Sequence, residues 1–275
     1  MNLENLMKAS NSLAQGMFQR KNYIDAVPHF RRAYGYARQT GFARMELSCL
    51  NNLIACMRMT GLSGCSDVDA LNDRALEIVS RLDFQPGDLI SCVNAYVNAG
   101  ATQILRRNWM AAISILDVAD ALITSMKSHR LQNEPTPASR NEAALLQSIA
   151  QAHMGLFAES RRGGDEEDAN IRCTILSCFQ RILELPVPDN TKAHAHQGLA
   201  YYFERISRTP DLLSMVRHRR AAWAGVGMLP QAQCPICAEE IADEHPDLTA
   251  LGCFHMFHRC VGCCPPPTAS RPSPT

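Results

Sequence analysis

Six cysteine and histidine residues near the C-terminus follow an order that is typical of zinc ligands. Cys234 and Cys237 are two residues apart, and after a 15-residue loop come Cys253-Phe254-His255 and His258-Arg259-Cys260. Tetrahedral Zn²⁺ prefers thiolate and imidazole ligands, and the gap in Cys-x-x-Cys lets both sulfurs reach one metal ion. Because four protein ligands leave no open position for water, the spacing predicts a structural zinc site and not a hydrolytic one.

This order resembles a RING-H2 domain through its sixth ligand. In such a cross-brace one zinc ion would be held by Cys234, Cys237, His258 and Cys260, and the other by Cys253, His255 and two further ligands. Only Cys263 and Cys264 are available for those two places. We therefore expect one zinc ion, and a second if Cys263 and Cys264 complete the second set.

Two departures from the RING-H2 spacing leave the ligand assignment open. Only Arg259 separates His258 from Cys260, and Cys263 is adjacent to Cys264 instead of being spaced from it. The first site could instead recruit Cys263 and release Cys260.

A ubiquitin ligase is the alternative function. RING ligases contact their ubiquitin-conjugating enzyme through an apolar residue inside the first Cys-x-x-Cys, and Ile236 has that place here. The tryptophan that follows the sixth ligand in such ligases, the last Cys-x-x-Cys pair and its proline are absent from this chain. The resemblance to a ligase surface is therefore partial.

Ahead of this segment, residues 1–215 show a repeated helical pattern. Apolar or small residues recur at spacings of three and four, which is the period of one helix face: Tyr23, Ala26, Phe30, Ala33. The same figure returns 86 residues later: Trp109, Ala112, Leu116, Ala119. A weaker copy between them gives an average period of 43 residues, which is similar to tetratricopeptide (TPR) repeats, in which stacked helix pairs share a core.

The chain therefore predicts an all-α, TPR-like superhelix followed by a small C-terminal zinc-binding RING-like module. We expect about five helix pairs over residues 1–215, a helix end and linker at 216–230, the zinc finger at 231–264 and a Pro-rich tail at 265–275. The segment 161–168, with two glycines and an acidic run, is predicted to be an exposed turn.

Composition limits the partners. The formal net charge is zero, which argues against nucleic acid as the main partner, because phosphate binding depends on clustered Lys and Arg. The basic run Arg217–Arg220 is interpreted as a solvated helix face. His194 and His196 are two positions apart on a predicted helix, so we expect them on different faces and not as a metal-binding pair.

The N-terminus and the remaining cysteines bear on location. No uncharged apolar stretch of 18 residues is present, so no transmembrane segment is expected. Asn2 stands where N-myristoylation needs glycine, and the first residues do not resemble a signal peptide. Six cysteines scattered through the helical region favour reduced, buried thiols and hence the cytoplasm.

The combination of TPR-like repeats with this zinc segment resembles the rapsyn family of synaptic scaffolds. The likeness is carried by Cys237–Ile241 and Leu248–Cys260, through the loop length and the Leu-x-Ala-Leu approach to Cys253. It implies a cytoplasmic scaffold, peripheral at the postsynaptic membrane, that binds and clusters acetylcholine receptors and associates with the cytoskeleton. In this family the repeats bind partner proteins, and a helix matching residues 210–223 here engages the receptor's cytoplasmic loop.

Overall fold

The structure, a computed structural model, describes residues 2–61, 66–82, 85, 87–129, 137–159, 165–206, 212–226, 248–250 and 256–258. The helices in these ranges are α1 (Leu3–Gln19), α2 (Tyr23–Thr40), α3 (Ala43–Met59), α4 (Ser66–Arg81), α5 (Leu89–Leu105), α6 (Trp109–His129), α7 (Pro137–Glu159), α8 (Asp165–Glu184), α9 (Asp189–Arg205) and α10 (Leu212–Gly225). The strands are β1 (Leu248–Ala250) and β2 (Met256–His258). The chain divides into two compact units, Met1–Ile171 and Arg172–Thr275.

The predicted helical fold with packed consecutive helix pairs is confirmed. Each helix from α1 to α7 packs against the next one along the chain, and α3 also contacts α5 directly, as α5 contacts α7. A direct contact between alternate helices is expected when helix pairs stack side by side and share a core. The first unit is thus an array of helix pairs, consistent with a TPR-like fold.

Helices α3 and α5 run parallel. Asn51 Nδ2 donates to the Ser91 carbonyl oxygen at 2.8 Å, and Arg58 Nη1 donates to Asn98 Oδ1 at 3.1 Å. Both bonds join residues 40 positions apart, so a step of seven residues along α3 matches a step of seven along α5. Seven residues are close to two helical turns, and the two contacts therefore lie on the same faces of both helices.

The 86-residue repeat is present in the backbone as well as in the sequence. Lys21 and Arg107 both have left-handed φ angles, of 61° and 59°. The next residue closes each turn in the same way: Asn22 N–H donates to the Met17 carbonyl at 3.0 Å, and Asn108 N–H to the Gln103 carbonyl at 2.9 Å. Gly61 has the equivalent position after α3, with φ 76°. The step from Lys21 to Gly61 is 40 residues and the step from Gly61 to Arg107 is 46, which average to 43.

The periodic residues form the core that their spacing predicts. Phe30 is 2% exposed, and Leu116, its counterpart in the later copy, is fully buried. Helices α5 and α6 approach closely because Gly100 has no side chain: a Cβ there would lie 2.6 Å from Leu116 Cγ. Small residues on one helix therefore accommodate the large ones on the next, as the alternation of Ala or Gly with Phe or Leu indicates.

In the second unit, glycines likewise allow close contacts among α8, α9 and α10. The Phe179 ring lies directly against Gly198 of α9, and Gly225 at the end of α10 lies against Ala193. Phe179 is 2% exposed, so a larger residue at position 198 would have to displace a buried ring.

Two local predictions are corrected. The acidic run at 165–168 is the first turn of α8 and not a connecting turn, because negative side chains interact favourably with the unpaired N–H groups at a helix N-terminus. Of the five scattered cysteines in the described ranges, Cys173 is exposed and the other four are buried. A position on the outer face of α8 explains the exception.

Candidate functional site

The predicted zinc ligands are placed mostly outside the described residues. This holds for Cys234, Cys237, Cys253, His255, Cys260, Cys263 and Cys264, and also for Ile236. The backbone of His258 is described, as the last residue of β2. The ligand set therefore stays a prediction from the sequence.

Two short strands lie on either side of Cys253 and His255 in the sequence. Strands β1 and β2 are antiparallel, with Leu248 opposite His258 and Ala250 opposite Met256. Paired residues in an antiparallel ladder have Cα atoms about 4.5–5.5 Å apart, so the chain before Cys253 returns beside the chain after His255.

A ladder of neutral polar groups runs through the first unit. Asn98 Nδ2 of α5 donates to the Asn51 carbonyl oxygen of α3 at 3.2 Å, and Thr102 Oγ1 donates to the Asn98 carbonyl at 2.9 Å. Asn72 of α4 donates to Thr102 Oγ1 at 3.1 Å, and Asn52 of α3 donates to Asn11 Oδ1 of α1 at 3.1 Å. Because all of these bonds except the one within α5, from Thr102 to Asn98, cross between helices, the ladder fixes how α1, α3, α4 and α5 are aligned.

Arg58 is the charged member of this ladder. Its Nη1 donates to Asn98 Oδ1, while its Nε is buried without a hydrogen-bond partner. Burial lowers the pKa of the guanidinium below its usual value, and no carboxylate pairs with it among the described residues. A half-buried cation held only by a neutral amide is electrostatically unsatisfied, because an amide dipole compensates a charge less well than a carboxylate does.

Two buried carboxylates of this unit are paired, unlike Arg58. Glu46 of α3, 5% exposed, accepts from Arg74 of α4 at 2.9 Å. Asp88, directly before α5, accepts from Arg44 at 2.8 Å. Arg58 therefore differs from these buried charged groups, which have a partner of opposite charge. Neither its position in the last turn of α3 nor its residue type indicates this difference in the sequence.

The buried thiols have no features of a reactive site. Burial raises the pKa of the Cys49, Cys56 and Cys92 thiols to about 11, so they remain protonated at neutral pH. A protonated thiol is neither a good nucleophile nor a metal ligand. Within the described ranges no group of three or more His, Cys, Asp or Glu side chains is placed to hold a metal ion.

In the second unit, α9 and α10 are joined by a pair of histidines. His196 Nδ1 and His218 Nδ1 are 2.9 Å apart, and their rings are stacked with centroids 5.2 Å apart. At this distance one Nδ1 donates and the other accepts, so at least one ring must be neutral. His218 also stacks on Phe203 at 5.6 Å. Burial lowers the pKa of His196, and the nearby Lys192 lowers it further.

The basic run on α10 is not wholly solvated, contrary to its interpretation from the sequence. The Arg219 side chain is 11% exposed and donates to Glu204 Oε2 of α9 at 2.8 Å.

Beside this ion pair lies a cavity of about 380 Å³, lined partly by His194, Tyr201 and Val226. Tyr201 and Val226 are each about half exposed, at 48% and 51%. The α9–α10 pair thus has an open groove with an aromatic wall and a paired charge.

Comparison with known proteins adds no relative: no protein-family model matches the chain, and no curated protein matches its sequence. None of the helices in the described ranges is long and apolar enough to cross a membrane.

Sequence reasoning finds the repeat but misses the contacts between distant helices. The bond from Arg58 to Asn98 and the pairing of His196 with His218 have no local signal, since their partners are 40 and 22 residues away. The recurrence of Asn on α1, α3 and α5 is the one sequence feature that could have indicated the ladder. Asn is an unfavourable residue inside a helix, so its recurrence there suggests that the amide forms a specific hydrogen bond.

Proposed function

We propose that the chain is an interaction scaffold: a TPR-like array of helix pairs that binds partner proteins, followed by a structural zinc module of RING-H2 type. The observation that carries this proposal is the stacked array, in which α3 and α5 run parallel and α5 also contacts α7. Stacked helix pairs offer an extended surface of side chains to a partner instead of a closed substrate pocket. The inert buried thiols are in keeping with a binding role.

The zinc module in this proposal is a folding device. A short segment of this size cannot bury enough apolar surface by itself, and structural zinc contributes about 10–16 kcal/mol to folding in small domains. The first ion would be held by Cys234, Cys237, His258 and Cys260. Cys253, His255, Cys263 and Cys264 would hold the second, which is the less regular set.

Native mass spectrometry of the full chain, with metal counted on each variant, tests the zinc proposal. We expect at least one zinc ion, lost in a Cys234→Ser/Cys237→Ser variant. A second ion that disappears in Cys253→Ser would establish both sites. Cys173→Ser is the matched control, because Cys173 is an exposed thiol far from the predicted ligands in sequence, and the zinc count should not change. Zinc-free protein would overturn this part of the proposal.

The resemblance to rapsyn makes the receptor's cytoplasmic loop the first partner to test. The matching helix is α10, and the groove beside it offers Tyr201 and Val226 to a ligand. We expect a purified cytoplasmic loop of an acetylcholine receptor subunit to bind the full chain and to bind Tyr201→Ala less tightly. Tyr201 is about half exposed, so this change should leave the melting temperature nearly unaltered.

Ubiquitin transfer is the competing function, and it depends on the same zinc. If the zinc-loaded chain stimulates discharge of a ubiquitin-charged conjugating enzyme and Ile236→Ala abolishes this, the ligase function replaces the pure scaffold. If discharge is absent or is unaffected by Ile236→Ala, the scaffold remains.

A further inference from the structure

The first unit has one edge at which α1, α3 and α5 end; we call it the turn edge, and it comprises residues 20–24, 58–61 and 105–110. Lys21 and Arg107 have equivalent places in the first and third turns and are both exposed. Neither forms an ion pair with another described residue. The 86-residue repeat therefore places two cations, unpaired among the described residues, in matching positions on one edge.

The backbone indicates that these cations are not needed to form the turns. Left-handed φ is unfavourable for residues with a Cβ and easy for glycine. The middle turn has the same conformation with Gly61, so glycine satisfies this geometry in the same molecule. Lys21 and Arg107 thus hold strained positions that glycine would fill better, and what they add is an exposed positive charge.

Apolar side chains are exposed beside each cation. Ile24 is 77% exposed and follows Lys21 by three residues, while Met110 is 61% exposed and follows Arg107 by three. The final residues of α3 and α5, Met59 and Leu105, are 55% and 56% exposed. Large apolar side chains gathered along one edge mark an interaction surface more often than isolated ones do.

The carboxylates near the turn edge are already engaged. Asp25 accepts from Asn22 Nδ2 at 2.8 Å. Asp67 pairs with Arg31, and Asp69 pairs with Arg106. In the middle turn the unsatisfied charge is Arg58, which is half buried and held by Asn98. The edge consequently has cations in each of its three turns for which the described residues supply no carboxylate.

We propose, building on the scaffold function above, that the turn edge binds an acidic amphipathic segment of a partner protein. Carboxylates of that segment pair with Lys21, Arg58 and Arg107, and its apolar side chains cover Ile24 and Met110. Neighbouring packed helices are about 8–10 Å apart, so a ligand that spans the three turns needs a length of roughly 20 Å. A helix of about four turns has that length.

A carboxylate fits these positions better than a phosphate or a lipid headgroup. A phosphomonoester has a charge of about −1.5 to −2, which one isolated guanidinium does not balance, whereas a carboxylate has one negative charge. Arg58 is only partly exposed, at the end of α3, so a flat bilayer surface would not reach it as it would a fully exposed cation. Nucleic acid would leave the exposed apolar residues without a partner.

The test uses a fluorescein-labelled amphipathic peptide of Glu, Leu and Ala, with fluorescence anisotropy on the full chain. The peptide should bind, with affinity that falls as salt is raised, and a version with Gln in place of Glu should bind weakly. In Lys21→Gly/Arg107→Gly we expect affinity to fall by about tenfold, the loss of two exposed ion pairs. The same variant should have a higher melting temperature, because glycine relieves both left-handed positions. Lys21→Arg/Arg107→Lys keeps both charges and should keep binding.

Equal peptide affinity for the wild type and the glycine variant would overturn the proposal. So would binding to phosphatidylserine vesicles that depends on Lys21 and Arg107 while the peptide does not bind, since the edge would then be a membrane surface. These results are separable from a failure of the scaffold function. Loss of receptor-loop binding in Tyr201→Ala reports on α9 and α10, and the zinc count reports on the C-terminal segment.

Discussion

The α3–α5 contact in the first unit and the α9–α10 contact in the second use opposite solutions for buried polar groups. Between α3 and α5 the partners are amides and backbone carbonyls, with Arg58 as a cation for which the described residues supply no carboxylate. Between α9 and α10 the contact includes a histidine pair that shares one hydrogen bond, and an ion pair between Arg219 and Glu204. The first contact should therefore be insensitive to mild acid and the second sensitive to it.

The two contacts also differ in whether their polar groups align helices or leave a surface for a ligand. A neutral ladder fixes the register of helices because its amides bond to specific groups on neighbouring helices, and bonds between neutral groups depend little on pH or salt. The charge on Arg58 is the one that we propose pairs with a carboxylate of the ligand. In the α9–α10 contact the charges compensate each other, and the groove beside them is left with apolar and aromatic walls.

The largest expected effect is on the ladder itself. Asn98→Leu removes the acceptor of Arg58 and the side-chain donor to the Asn51 carbonyl, so the half-buried cation loses its hydrogen bond. We expect the free energy of unfolding of the first unit to fall by about 2–4 kcal/mol. Urea denaturation followed by circular dichroism measures this. Asn94→Leu, on the same helix but less buried, is the control and should change stability by less than about 0.5 kcal/mol.

An intermediate effect is expected from pH at α9 and α10. Because the pKa of His196 is lowered in the folded state, the unfolded chain binds the proton more readily, and stability rises with pH. The stabilisation is complete above the ordinary histidine pKa of about 6.5 and is lost as pH falls through the lowered folded value. Protonating both rings also breaks the Nδ1–Nδ1 bond.

Thermal melts of the wild type and His196→Asn between neutral and mildly acidic pH measure this effect. The wild type should lose stability in acid more steeply than the variant, whereas His194→Gln should behave like the wild type because His194 is exposed. Parallel curves for the wild type and His196→Asn would show that the pair does not titrate in this range.

The smallest effect is expected from Arg58→Met. This change removes the unsatisfied charge and keeps much of the side-chain volume, so the gain from not burying a cation offsets the lost bond to Asn98. We expect a net change within about 1 kcal/mol. Urea denaturation of Arg58→Met beside Asn98→Leu gives the comparison. If both variants lost equal stability, the hydrogen bond and not the buried charge would dominate the contact.

The repeats were predictable because their signals are local. The spacing of Tyr23, Ala26 and Phe30 follows the helix period, and Arg20-Lys21-Asn22 and Arg106-Arg107-Asn108 close equivalent turns with equivalent bonds. A turn is decided by four or five successive residues, so a similar sequence gives a similar backbone. The sequence pattern gave only the average repeat length of 43 residues, whereas the turns are 40 and 46 residues apart. Repeat length varies because a loop can change in length without affecting the packed helix faces.

By itself, the sequence determined that this chain is built of helix pairs, where the copies repeat, and which residues face the core. It also contains the order of cysteines and histidines that predicts a zinc site. Native mass spectrometry tests that prediction. Only the tertiary structure decided that Arg58 meets an amide while Arg219 meets a carboxylate, and that His196 pairs with His218 and not with His194. Local propensity acts over a few residues, but the partner of a buried polar group depends on how separate helices are aligned against one another.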